Sequence, residues 1–135
     1  MPDRIFVDTN ILVYFISDEK EKKLKAKELI FSARDVYISS QVIGEFISVC
    51  TTKELLDLDT ITSLANNFMQ ALNFSLVDSV TINKALEIKK SSNYSYWDCL
   101  IVASALENNC SILYTEDLQD GETINNSLSI INPFK

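Results

Sequence analysis

Four carboxylates in this chain stand where folding could gather them: Asp8, Glu45, Asp98 and Asp117. Each falls just past an expected strand or early in an expected helix, and they are spread over 135 residues. Gathered at one edge of a sheet, they would repel one another unless a hard divalent cation such as Mg²⁺ or Mn²⁺ neutralised them through oxygen ligands. The chain contains no histidine. That removes the usual imidazole acid and base, the Ser-His-Asp triad and most zinc chemistry. Metal-assisted chemistry remains, or none.

Each acid also has an ordinary structural reading. Asp8 suits a helix cap, worth about 1 kcal/mol. Asp117 lies in the turn-rich stretch Thr115-Glu116-Asp117-Leu118-Gln119-Asp120-Gly121, where acids are common. Glu45 sits among Val42, Ile43, Gly44, Phe46, Ile47 and Val49, on a helix that should be largely buried. A carboxylate there is costly to desolvate without a cation or hydrogen bonds. Asp98 is set among Trp97, Cys99, Leu100, Ile101, Val102 and Ala103. Its spacing from Ser95 is that of a capping box, which accounts for its position but not for the apolar helix around it. Thr9, Asn10 and Thr115 read as caps, or as groups that orient water at a metal site. Tyr96 and Trp97 read as core or rim packing.

The elements that must position these residues alternate. Ile5-Phe6-Val7 is a short apolar run ending at Asp8, as expected of a strand covered on both faces. Asp8 or Thr9 caps a helix through Phe15. A Lys/Glu-rich helix is expected at about 19–33, with Leu24, Leu29, Ile30 and Phe31 inward. A strand at 36–38 leads to a helix capped by Ser39 or Ser40 and running to about Thr52. The 57–72 helix carries Leu58, Ile61, Leu64, Ala65, Phe68 and Leu72 at helical spacing. A strand at 74–77, helices at 79–91 and from Ser95 to about Asn108, and strands at 111–114 and 128–131 complete the set. Short apolar strands alternating with helices predict an α/β domain with a mainly parallel, five-stranded sheet flanked by helices. Ligands of such sheets bind outside the strand carboxyl ends, so the expectation is an acidic pocket there.

Composition narrows the class. The chain reads as one domain, 1–135, with 47 % hydrophobic residues, which excludes a disordered chain. No apolar run approaches the ~18–20 residues of a spanning helix, and the N-terminus has no signal-peptide pattern. Cys50, Cys99 and Cys110 are odd in number and set in apolar surroundings, which reads as reduced, buried thiols in the cytoplasm. Only Gly44 and Gly121 are present, so neither a P-loop nor a dinucleotide fingerprint can form. The net charge of −7 opposes nonspecific binding to nucleic acid. Two lysine groups soften this locally: Lys20, Lys22, Lys23, Lys25 and Lys27, and then Lys84, Lys89 and Lys90. They read as solvated helix faces or as a phosphate track.

Four stretches taken together resemble the PIN-domain family, in particular the toxin half of VapBC-type toxin–antitoxin pairs. They are Phe6-Val7-Asp8-Thr9-Asn10-Ile11-Leu12-Val13-Tyr14, Ser39-Ser40-Gln41-Val42-Ile43-Gly44-Glu45-Phe46, Tyr96-Trp97-Asp98-Cys99-Leu100-Ile101-Val102-Ala103-Ser104-Ala105, and Leu113-Tyr114-Thr115-Glu116-Asp117-Leu118-Gln119-Asp120-Gly121. Their order and spacing agree over nearly the whole chain. The resemblance implies a PIN-like α/β fold and a Mg²⁺- or Mn²⁺-dependent endoribonuclease. It places Asp8, Glu45, Asp98 and Asp117 at the family's acidic positions, with Asp8, Asp98 and Asp117 as metal ligands. Thr115 matches its usual Ser/Thr, Thr9 and Asn10 fall in its first motif, and Glu116 and Asp120 could contribute through water. The resemblance further implies an RNA substrate, a cognate antitoxin partner and a homodimer.

Without histidine, a proton released during hydrolysis must pass to a carboxylate or to solvent. Water as nucleophile predicts 5′-phosphate and 3′-hydroxyl ends, whereas attack by the RNA 2′-hydroxyl would give a cyclic phosphate. If the first lysine group guides RNA, Lys→Glu changes at Lys22 and Lys23 should weaken cleavage and flatten its salt dependence. A haloacid-dehalogenase-type phosphatase would need a second acid two residues after Asp8, where this chain has Asn10. A receiver domain would need paired acids after the first strand. The rival of a different class is a non-catalytic PIN-like module that binds a partner protein.

Overall fold

The computed structural model describes residues 3–32 and 34–135. One mixed sheet organises the chain. Strand β1 (Arg4–Val7) occupies the middle, with β2 (Asp35–Ser39) and then β3 (Asn73–Ser75) on one side. On the other side lie β4 (Ile112–Tyr114), β6 (Leu128–Ile131) and β5 (Thr123–Ile124), in that spatial order. All neighbours pair in parallel except β5, which runs antiparallel to β6. The chain builds outward from β1 through β2 to β3, then returns to the far side of β1 with β4. Strand order therefore reverses between β1 and β4, and the crevice outside the carboxyl ends at such a point is where ligands of these sheets bind.

The expected mainly parallel sheet is present, with six strands rather than five. The sixth, β5, is two residues long and is joined to β6 by Asn125, Asn126 and Ser127, the two asparagines having φ values of 52° and 56°. Two successive left-handed residues form the tight hairpin turn that matches strand twist, and asparagine tolerates that conformation. Ser127 N closes the turn on Ile124 O at 3.1 Å.

Helices connect the strands: α1 (Thr9–Phe15), α2 (Lys20–Ser32), α3 (Ser40–Thr52), α4 (Leu58–Ala71), α5 (Ser79–Lys90) and α6 (Tyr96–Glu107). Their starts are set by side-chain caps that satisfy orphan backbone N–H groups. Ser39 accepts from Val42 N, Asp57 from Thr60 N and Ser95 from Asp98 N, while Asp78 and Thr81 form a reciprocal capping box. Helices α1 to α4 pack in sequence through α1–α2, α1–α3 and α3–α4 contacts, and α5 packs along α6.

Burial follows from this arrangement. Phe6, Val7, Ile38, Leu113 and Ile130 in the strands are fully enclosed, and the run Cys99 to Ala105 makes α6 buried nearly all round. In α2 the inward side differs from the expected one. Ala26 and Ile30 are buried, Leu29 is half-buried, and Leu24 and Phe31 are 69 % and 73 % exposed. At ~100° per residue, Leu24 and Phe31 share a face on the side of the helix roughly opposite the Ala26–Ile30 row. The expected end of this helix at position 33 lies outside the described residues. Leu58, at the first position of α4, is likewise exposed. The three cysteines are free and buried. No helix among the described residues is long and apolar enough to cross a membrane.

Candidate active site

Asp8 follows β1 directly, and its backbone N–H continues the ladder to Tyr114 O at 3.0 Å. Its side chain is 4 % exposed. The Oδ1 atom accepts from Thr9 N at 2.7 Å, capping α1, and Oδ2 accepts from Thr115 Oγ1 at 2.7 Å. The expected capping role is thus present, at the carboxyl end of β1. Burial pushes the carboxyl up to about 6, against the lowering effect of the Thr115 and Thr9 hydrogen bonds; the charges of Asp117 and Glu45 raise it further.

The residues that follow Asp8 reach the other acids. Thr9 Oγ1 donates to Glu45 Oε2 at 2.9 Å, and Asn10 Nδ2 donates to Asp117 Oδ2 at 3.1 Å. Glu45, in the second turn of α3, is half-buried rather than largely buried. Its other oxygen, Oε1, accepts from Gln41 Nε2 at 2.8 Å. The same nitrogen donates to Trp97 O at 3.0 Å, tying α3 to the first turn of α6.

Asp98 lies in that first turn, with its backbone N–H on Ser95 Oγ at 3.1 Å. Burial raises its pKa first, the Ser95 hydrogen bond opposes this, and the charges of Asp117 and Glu45 raise it further. Asp117 and Glu45 therefore press on both Asp8 and Asp98, and the four carboxylates form one electrostatic group at the crevice. Trp97 is 63 % exposed, so it belongs to the surface of α6 rather than to the core, with Tyr96 in edge-to-face contact.

Thr115 is fully enclosed and is the hinge of the set. Its hydroxyl donates to Asp8 and accepts from Asp117 N at 3.1 Å. Glu116 turns away from the group. It accepts from Tyr14 OH at 2.7 Å and lies 3.9 Å from Lys22 Nζ. Asp120 is separate too, accepting from Asn132 N at 2.8 Å.

Gln41, Tyr14 and Lys22 were not singled out as members of the site from sequence. Gln41 had a readable signal, since it precedes Glu45 by four residues on one helix face. Tyr14 and Lys22 had none, because their meeting with Glu116 depends on how α1, α2 and the segment after β4 pack.

The donor set is all hard oxygen. Among the described residues, no three carboxylates converge as a ready-made metal cage. Mg²⁺ does not need one, since it keeps several waters and takes one or two carboxylates plus phosphate oxygens. Two buried acceptor atoms, Asn10 Oδ1 and Gln41 Oε1, have no partner. Unpaired buried acceptors beside unneutralised carboxylates fit a hydrated cation, whose waters donate to both.

The family model described as PIN domain matches residues 5–119. No curated protein sequence matches the chain. Among solved structures, the chain is similar to VapC20 of Mycobacterium tuberculosis, a toxin that cleaves the sarcin–ricin loop. That likeness has TM-score 0.68 and 19 % identity, over 84 % of this chain and 91 % of that one. It is similar to a toxin–antitoxin complex from Klebsiella pneumoniae, with TM-score 0.70 and 18 % identity over 96 % and 97 % of the two chains. It is also similar to VapBC2 of Rickettsia felis bound to a promoter DNA fragment, with TM-score 0.68 and 21 % identity over 95 % and 98 %.

Proposed function

We propose, from the premise that this chain belongs to the PIN-domain family, that it is a metal-dependent endoribonuclease and the toxin of a toxin–antitoxin pair. Residues 1–135 form a single PIN domain in this reading. It acts in the cytoplasm as a homodimer restrained by a cognate antitoxin. The likeness to toxin–antitoxin complexes supports such a partner, and the likeness to a toxin that cleaves the sarcin–ricin loop supports RNA as substrate.

The observation that carries the reading is the gathering of Asp8, Glu45, Asp98 and Asp117 in the crevice between β1 and β4. Asp8 and Asp98 are both held above the ordinary carboxylate range there. A site built only for stability would not crowd three acids around a buried fourth. Asp8, Asp98 and Asp117 would hold Mg²⁺ or Mn²⁺, with Thr9, Asn10 and Thr115 fixing their orientation. An ion held there would supply a water of lowered pKa and offset charge on the phosphate. Glu45, steadied by Thr9 and Gln41, is the carboxylate placed to accept a proton. Hydrolysis by water leaves 5′-phosphate and 3′-hydroxyl ends.

The test is cleavage of a panel of total RNA and tRNA by purified protein in Mg²⁺, Mn²⁺ or EDTA, with Asp98→Asn prepared identically. Metal-dependent cutting that Asp98→Asn abolishes, leaving 5′-phosphate ends, is the expected result. Equal cutting by both proteins would remove the site from the reaction.

A further inference from the structure

A second concavity opens beside the acid group. It has a volume of about 400 Å³ and is lined by Lys90, Asn93, Tyr94, Gln119 and Glu122, with Ser91 and Ser92. One wall is the linker between α5 and α6, which leads through Ser95 into the turn bearing Asp98. The other is the segment after β4, two residues beyond Asp117. Tyr94 joins the walls. Its hydroxyl donates to the Glu122 carboxylate and lies on the Gln119 backbone amide, within electrostatic reach of Asp98. Burial and Glu122 push this hydroxyl up to about 12, so it stays a protonated donor over the whole working pH range. The cleft and the acid group therefore share both of their supporting segments.

The lining is unsuited to an apolar anchor. It offers two carboxamides, a phenol, a carboxylate, two serine hydroxyls and a lysine, and no aliphatic side chain among the described residues. Asn93 and Gln119 are both exposed and each presents a donor and an acceptor, the complement of a base edge. Glu122 accepts from amino or imino groups. Lys90, at the end of α5, provides a cation for a phosphate. The volume falls within the ~300–1,000 Å³ of small-molecule sites.

We propose that this cleft holds one unpaired nucleotide of the RNA, adjoining the phosphate that is cut at the acid group. The inference rests on the nuclease reading and places the reading of one unpaired base at Asn93, Gln119 and Glu122, because a paired base cannot present its Watson–Crick edge to them. The same side chains make the cleft the place where base preference arises.

Fluorescence anisotropy with four fluorescein-labelled RNA octamers, one for each base, tests it on the full chain in EDTA. A duplex of one octamer serves as comparison. The wild type should bind single strands at least tenfold more tightly than the duplex and should rank the four bases. Asn93→Ala with Gln119→Ala should lower affinity about tenfold and level that ranking, with Tm unchanged because both side chains are exposed. Lys90→Ala should reduce the slope of log affinity against log salt by about 0.7. Wild-type affinity and ranking in the double variant, or equal binding of duplex, would overturn the proposal. If that happens while cutting still depends on Asp98, the nuclease reading stands alone. If the cleft variants lose binding but cutting is indifferent to Asp98, the subsite stands and the nuclease reading falls.

Discussion

The Tyr14 hydroxyl donates a 2.7 Å hydrogen bond to Glu116 Oε1, so a residue near the end of α1 holds the segment that carries Thr115 and Asp117. Lys22 Nζ donates to the same hydroxyl at 2.9 Å, and Phe134 packs edge-to-face on the Tyr14 ring at 4.7 Å. Tyr14 and Lys22 thus both contact Glu116, and Phe134 backs the Tyr14 ring. Removing the hydroxyl with Tyr14→Phe keeps the ring packing and frees Glu116 from its nearest partner. The expected cost is about 1 kcal/mol, a drop of a few degrees in Tm. Cleavage should slow several-fold with little change in RNA affinity, because the segment is loosened rather than stripped of a contact to substrate. Thermal denaturation with single-turnover kinetics checks both parts.

Asp8 makes stability depend on pH in an unusual direction. Its folded pKa, about 6, lies above the ordinary 3.8, so between these values the folded state binds more protons than the unfolded one. Stability then falls as pH rises through that window. The rise from 3.8 to about 6 corresponds to about 3 kcal/mol, present below pH ~4 and lost above ~6. Asp98 is raised as well and acts with the same sign. Asp57 and Asp78 are lowered by backbone hydrogen bonds from their helices, so their contributions are lost only at more acid pH, below the window. Urea denaturation in EDTA between pH 4.5 and 7.5 should show declining stability in the wild type and a flatter curve in Asp8→Asn. The variant should be more stable than wild type at pH 7.5 and inactive.

Thr115 separates two roles of one hydroxyl. Thr115→Ser keeps both the donation to Asp8 and the acceptance from Asp117 N, and should retain most activity. Thr115→Val keeps the volume but leaves a buried carboxylate and a backbone N–H each short of a partner, at about 2–4 kcal/mol in total. It should also lift the Asp8 pKa beyond its present position, since the Thr115 hydrogen bond is the largest lowering influence. Comparing the pH–stability curves of the two variants in EDTA tests that shift directly.

Divalent ions should stabilise the fold that crowds its acids. An ion that binds only the folded state at one hundred times its Kd adds about 2.7 kcal/mol. Mg²⁺ or Mn²⁺ should therefore raise Tm, and Asp8→Asn or Asp98→Asn should reduce that rise. An ion-independent Tm in the wild type would count against metal binding at this group.

The strands and the four acids were legible because each acid sits where a short apolar run stops or a capped helix begins, and parallel topology brings such points to one edge. The hairpin strand β5 was not, since two residues give no period to read; only the pair Asn125-Asn126 marks it. The exposure of Leu24, Phe31 and Leu58 was also hidden. Apolar spacing identifies a helix, but which row faces inward depends on neighbours that sequence does not name. Sequence left Trp97 open between core and rim for a related reason, and it lies at the rim. The buried run begins at Cys99, and the first turn of α6 lies at the mouth of the crevice, where a large ring remains in solvent.

The lysines of α2 can now be divided. Lys22 is committed to Tyr14, Glu19 and Glu116, and its ammonium also lies 4.6 Å from the centre of the Tyr14 ring. Lys22→Glu would set a carboxylate beside Glu116 and disturb the segment that carries Asp117. Its effect should persist in high salt and should come with a lower Tm. Lys23, in contrast, is half-buried on the same helix and takes no part in that cluster. If α2 guides RNA, Lys23→Glu should leave Tm unchanged while weakening cleavage chiefly at low salt and flattening the salt dependence. Measuring cleavage rates from 25 to 300 mM salt, roughly the range over which such a field is screened, separates the two. Salt-insensitive loss in Lys22→Glu with wild-type behaviour in Lys23→Glu would mean that α2 supports the site without touching the substrate.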